Sequence, residues 1–302
     1  MRTATALLST LTLLLGATTW LGCPEEKAAE SKAPSSPGKT AGAATPAEKP
    51  APEKEGGSPK AAAPAQPAAM VPPGVEHLRN PDHKDMPTPK DMPELDTKAA
   101  EGVWAEVKKD YDAALAEACK ADPKSVVRLA KDGTRIGYVS YKNEKLPVSG
   151  YFAEAYGFGV FGKSPTARLV INPLSLDSGD PVRDRKLEKL FFELGKGENA
   201  RFVFEASKID GALPTEAGQK TKVTLSGTLT LHGTKHPLTL PFEVNKAADG
   251  YVARLATDPF LLGFADFGLI EPLKALMKSC NHAAMGTSAK LDLTLRLVPG
   301  CS

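Results

Sequence analysis

Residues 223–231 read Val223-Thr224-Leu225-Ser226-Gly227-Thr228-Leu229-Thr230-Leu231, with an apolar or small residue at each odd position and a hydroxyl at each even one. Side chains on a strand point alternately to its two faces, so this period of two places every apolar group on one side and every hydroxyl on the other. Such a segment is a half-buried strand of an antiparallel sheet. His232 ends the run, and Gly233-Thr234-Lys235-His236-Pro237 reads as a hairpin into a second alternating stretch, Leu238, Leu240 and Phe242.

The same habit extends in both directions. Phe202 and Phe204 alternate with Val203 and Glu205, and Leu291, Leu293, Leu295 and Leu297 close the chain with four apolar residues two apart. Many short strands sharing one apolar face predict a closed barrel or a sandwich from Lys124 onward. Two stretches interrupt the alternation with helical spacing: about Val182 to Leu194, carrying Leu187, Leu190 and Phe191, and about Leu269 to Ser279, carrying Leu273, Leu276 and Met277. Before the strands, Trp104, Val107, Tyr111 and Leu115 recur three and four apart. They predict one amphipathic helix over 95–122, capped by Asp96 and stopped by Asp122-Pro123, packed on the domain at 124–302.

Upstream the composition changes. No Phe, Tyr or Trp lies between Trp20 and Trp104, and Ala, Pro, Lys, Glu, Ser and Gly dominate. Residues 23–94 are therefore expected to be a disordered, extended linker, because they cannot bury enough apolar surface to offset the entropy of ordering. Residues 1–22 read as an export signal with Arg2 and a Leu-rich run, ending in Leu21-Gly22-Cys23. That tripeptide resembles the lipobox of bacterial lipoproteins. The resemblance implies an acylated Cys23 as the first mature residue, membrane attachment through it and, since Pro24 follows where inner-membrane lipoproteins carry Asp, residence at the outer membrane.

Charge is nearly balanced, with 38 Lys and Arg against 36 Asp and Glu, and the basic residues form no block or aromatic-interleaved run. Nucleic acid is excluded as a partner on that ground.

Several segments, in order, resemble the YceI-like family: Thr134-Arg135-Ile136-Gly137-Tyr138 with Gly150-Tyr151-Phe152; Ser175-Leu176-Asp177-Ser178-Gly179 with Arg183-Asp184; Arg201-Phe202-Val203-Phe204; the 223–233 run with Leu240-Pro241-Phe242; and Asp266-Phe267-Gly268. The resemblance implies an all-β domain with small helical insertions, an extended lipocalin-like antiparallel barrel of about eight strands, and an elongated apolar cavity for a polyisoprenoid-type lipid. It also implies an exported protein that can form homodimers. The chain departs from the family pattern at Thr134, Lys142, Lys186 and Phe264, where polar positions have changed while the apolar frame remains.

A hollow barrel would be lined by Phe152, Leu169 and Ile171, by Phe202, Phe204, Leu225, Leu229 and Leu231, and by Leu238, Leu240, Phe242, Leu293 and Leu295. An isoprenoid tail needs such a face, and so does an ordinary core. The expected role is thus a lipid-binding module, with a packed barrel presented to a protein partner as the rival and catalysis as a distant third. Arg183 and Asp184 could grip a head group, but anchoring a helix to a strand end is the simpler role. Asp266 is expected to cap the following helix. His232 and His236 lie across a turn, and Cys280-Asn281-His282 has no visible fourth ligand, so no metal or other cofactor beyond a bound lipid is expected. No Gly-x-Ser-x-Gly elbow is present. With Cys23 acylated, three cysteines remain for one disulfide in an oxidising compartment. The helical stripe brings Cys119 to the barrel side, where Cys301 or Cys280 can meet it; Cys301 is preferred because the chain end also needs tying down.

Overall fold

A computed structural model describes residues 72–81, 94–143 and 145–301, all within the compact unit Gln66–Ser302. The signal segment, Cys23 and most of the expected linker lie outside the described residues. A short strand β1 (His77–Arg79) precedes helix α1 (Thr97–Ala121), and eight staves follow. The first is split into β2 (Val126–Leu129) and β3 (Arg135–Lys142), the second into β4 (Leu146–Phe152) and β5 (Ala155–Val160), the third into β6 (Thr166–Ile171) and β7 (Leu176–Asp177). After helix α2 (Pro181–Lys186) come β8 (Phe202–Asp210), β9 (Lys220–Leu231) and β10 (Thr234–Ala247). Then follow β11 (Gly250–Leu255) with β12 (Leu261–Gly263), helix α3 (Ile270–Ser279), and β13 (Ala284–Gly286) with β14 (Ser288–Pro299).

Each stave pairs antiparallel with the next in sequence, as β9 does with β10 from Leu231↔Thr234 to Lys220↔Asn245. The last returns to the first: β14 pairs with β3 at Leu293↔Ile136 and with β2 at Leu297↔Leu129. The result is a closed eight-stranded antiparallel barrel in which each stave has a partner on both sides, and closure removes the exposed edge an open sheet would carry. The alternation of 223–231 is realised as expected, with Val223, Leu225, Leu229 and Leu231 facing inward.

Alternation breaks on the outside where α1 lies. Tyr156, Phe158, Val170 and Val203 are apolar on the outer face because Val107, Tyr111 and Trp104 of the helix cover them. Asp96 caps α1 by accepting from the Ala99 amide at 3.0 Å, and the helix stops before Pro123. Tyr111 is buried, its hydroxyl donates to the Gly157 carbonyl at 3.2 Å, and burial pushes its pKa up to about 12. At the far end Cys119 is bonded to Cys301, with α-carbons 5.9 Å apart, so of the two pairings left open the structure has the one that ties the helix to the chain end.

Two expectations need correction, the linker at 72–81 and the cap at Asp266. Residues 72–81, inside the stretch expected to be a disordered linker over 23–94, include β1, which pairs with β13 from His77↔Gly286 to Arg79↔Ala284. Partners on another strand supply what that segment's own composition lacks. The stretch expected to be helical at about Val182 to Leu194 is so, as α2 followed by a π-helical turn, Leu187–Phe191. Asp266 does not cap α3: it sits in a 3-10 turn, Ala265–Phe267, and the N-cap of α3 is Leu269, which makes no side-chain bond. Gly268 adopts φ 68° between them and reverses the chain, leaving the Asp266 carboxylate 4.0 Å from His236 Nε2.

Candidate functional site

The inward faces of the staves do not meet at the barrel axis. They leave a chamber of ≈ 150 Å³ toward the end capped by α2 and α3, and a second of ≈ 80 Å³ toward the opposite end. Phe152, Ile171, Phe202, Leu229, Leu231 and Leu238 line the first; Leu225, Phe242 and Leu295 line the second. Leu169, Phe204, Leu240 and Leu293 line both and form a waist between them. All thirteen residues expected on the interior therefore face one chamber or the other.

The helical insertions close the larger chamber. Leu187 and Phe191 from the π-helical turn, Phe192 just beyond it, and Leu269, Leu273 and Leu276 from the α3 region point into it. Phe191, Phe192 and Phe264 meet edge to face at centroid separations of 4.8 and 5.0 Å, and Phe192 meets Phe202 at 5.1 Å. Sequence reasoning recognised Leu187, Phe191, Leu273 and Leu276 as helical stripes but could not tell that the stripe faces a void. It missed Tyr138 and Ser140 as lining residues; their spacing of two with Ile136 was the available signal.

A void of this size lined almost wholly by Leu, Ile and Phe offers water few partners. Its lining forfeits dispersion contacts on one side, at about 24 cal/mol per Å³. For the larger chamber that is on the order of 3 to 4 kcal/mol which a well-fitting apolar guest can recover.

The polar groups at the capped end fasten the lid. Asp180 caps α2 through the Val182 and Arg183 amides. Asp184 accepts from the Ser178 amide at 3.0 Å and from the Ser178 hydroxyl, while Arg183 Nη1 donates to the Ser178 carbonyl at 3.4 Å. Arg183 and Asp184 thus bind α2 to the loop after β7, the structural role.

His232 at the β9–β10 turn bonds the Phe267 carbonyl and Glu193, each at 3.2 Å, and His236 faces Asp266 instead, so the two histidines do not converge. Among the described residues no group of three or more His, Cys, Asp or Glu gathers. His282, half-buried and near Lys142, Lys186 and Arg183, has its pKa lowered to about 4, chiefly by desolvation.

Compared with known families, residues 128–297 match the YceI-like domain, more than half of the 302-residue chain. The chain belongs to the YceI-like family.

Among solved structures the YceI-like barrel is similar to a polyisoprenoid binding domain from Saccharophagus degradans implicated in plant cell wall breakdown. The two share 20% identity at a TM-score of 0.50, over 58% of this chain and 98% of that one. It is also similar to Burkholderia cenocepacia BcnA, with 17% identity and a TM-score of 0.43 over 56% and 98% of the two chains. No curated protein matches the chain. At these identities the likeness speaks to the fold alone.

Two of the four departures from the YceI-like pattern, Lys186 and Phe264, have a clear place in the structure. Lys186 is only 7% exposed, and its ammonium donates to the Ser279 carbonyl at 3.1 Å, joining α2 to the C-terminal end of α3; Cys280 Sγ lies 3.6 Å from the same nitrogen. Phe264 meets Phe191 edge to face and completes the aromatic lid of the larger chamber.

Proposed function

We propose that this YceI-like protein is an exported, lipid-anchored binding protein that holds a slender apolar ligand of isoprenoid type in its barrel and performs no catalysis. The observation that carries the reading is the larger chamber, whose lining is apolar at every side chain except Tyr138 and Ser140. Support comes from the cost of leaving that void unfilled and from the Saccharophagus degradans domain of the same fold, described as polyisoprenoid binding. Attachment through an acylated Cys23, with export to the outer membrane, rests on Leu21-Gly22-Cys23 and the preceding Leu-rich run. Acylation there would put the barrel beside a reservoir of apolar lipid.

The waist sets the ligand's length. A chain confined to the larger chamber spans few isoprene units, and a longer one must displace Phe204 or its neighbours. Titration of geraniol, farnesol and geranylgeraniol into purified protein tests this. Binding is expected to be saturable, and Phe204→Ala, which joins the two chambers, should shift the preference toward the longer alcohols. Absence of saturable binding for all three, in the wild type and the variant, would overturn the reading. It would favour the rival in which the waist is simply core and the barrel is an interaction module displayed on its linker.

A further inference from the structure

Two polar side chains face the larger chamber, and both belong to one strand. Ile136, Tyr138 and Ser140 alternate along β3, so their side chains share the inner face. The Tyr138 hydroxyl is buried and has no hydrogen-bond partner among the described residues. It lies over Gly150 of the paired strand, where a Cβ would come within 2.6 Å of the oxygen; glycine at 150 leaves the room the hydroxyl occupies. A buried hydroxyl left unsatisfied is destabilising, and each such group in a folded protein calls for an explanation, an ordered water or a ligand among them. The ring is held in place: Phe152 packs against it at a centroid distance of 6.4 Å. Burial also raises the phenol's pKa far above its ordinary value, so it is a protonated donor at every physiological pH.

We infer that the larger chamber selects an apolar ligand bearing one hydrogen-bond acceptor, a carbonyl, which takes the Tyr138 hydroxyl and is oriented by it toward β3. This rests on the apolar-ligand reading above and narrows it. A pure hydrocarbon fills the volume but leaves the phenol orphaned; an ionised head group does not belong there, because no cationic side chain lines the chamber and an unpaired charge would be stranded in an apolar space. The wall opposite β3 offers only aliphatic and aromatic groups, so the ligand's remaining atoms should be hydrocarbon.

The test compares geranylacetone with the hydrocarbon of the same skeleton in which a methylene replaces the carbonyl. Partition of each volatile probe into wild-type and Tyr138→Phe protein is read by headspace gas chromatography. Expected for Tyr138→Phe is a loss of ketone affinity of about threefold to tenfold, the worth of one hydrogen bond, with hydrocarbon affinity unchanged or slightly raised. The variant should also melt higher without ligand, since it removes the orphaned hydroxyl; this shows that any lost affinity is not lost folding. Equal ketone affinity in both proteins, with hydrocarbon still bound, would overturn the carbonyl assignment and leave the apolar-ligand reading standing. Binding of neither probe by the wild type would overturn both.

Discussion

A methyl group at position 227 would collide with backbone. Its Cβ would meet the Glu205 carbonyl oxygen and stand 2.6 Å from the Ala206 α-carbon, atoms that no rotamer change can move. Gly227 pairs with Ala206, beside the point where β8 shifts register by one residue before Lys208 pairs with Ser226. The bulge presses one strand across the other, and glycine is the residue that permits it. Gly227→Ala should destabilise the fold by about 3 kcal/mol, the upper part of the usual overpacking range, read as a lower midpoint in urea at unchanged slope. A change within ~0.5 kcal/mol, the range of neutral surface substitutions, would show that the strands can slide apart. In sequence the residue was legible only as a gap in the apolar row of 223–231. The close approach that demands it belongs to a strand pairing between positions more than twenty residues apart, which alternation cannot reveal.

Helix α1 was legible because its signals are local: an Asp cap, an apolar stripe three and four apart, and a proline stop. Its attachment is not local. The apolar outer row at Tyr156, Phe158, Val170 and Val203 gave no sequence-level hint that a helix would cover it, since the same residues read as ordinary strand formers. The disulfide from Cys119 to Cys301 spans a sequence separation of 182 and links the helix end to the end of the final stave. On the chain-entropy account, closing so long a loop stabilises by up to roughly 4 to 5 kcal/mol. Paired Cys119→Ser and Cys301→Ser substitutions should lower the denaturation midpoint markedly, and reducing agent should do the same to the wild type and nothing to the double variant. Equal midpoints with and without the bridge would mean that the packing of Val107 and Tyr111 alone holds the helix. Strand β1 was illegible for the converse reason: its order derives from partners on β13, more than two hundred residues away.

At the scale of the whole molecule, the barrel was foreseen through its alternation and through the resemblance of its ordered segments to the YceI-like family. The thirteen residues expected on its inner face do lie there. Hollowness was implied only by that resemblance and not by the alternation, because a filled core and a lined cavity use the same apolar residues at the same spacing. What separates them is the sum of side-chain volumes against the barrel radius, together with where the lid of Phe191, Phe192 and Phe264 comes to rest. The central claim, that the barrel of this YceI-like protein carries an apolar ligand, is tested most directly by native mass spectrometry of protein purified from its own host, before and after extraction with organic solvent. A reproducible mass increment that the solvent removes, beyond any covalent modification, and that is recovered in the extract as a hydrocarbon-rich molecule is the predicted result. The contradicting result is a mass identical before and after extraction, from a barrel that then takes up no isoprenoid offered to it.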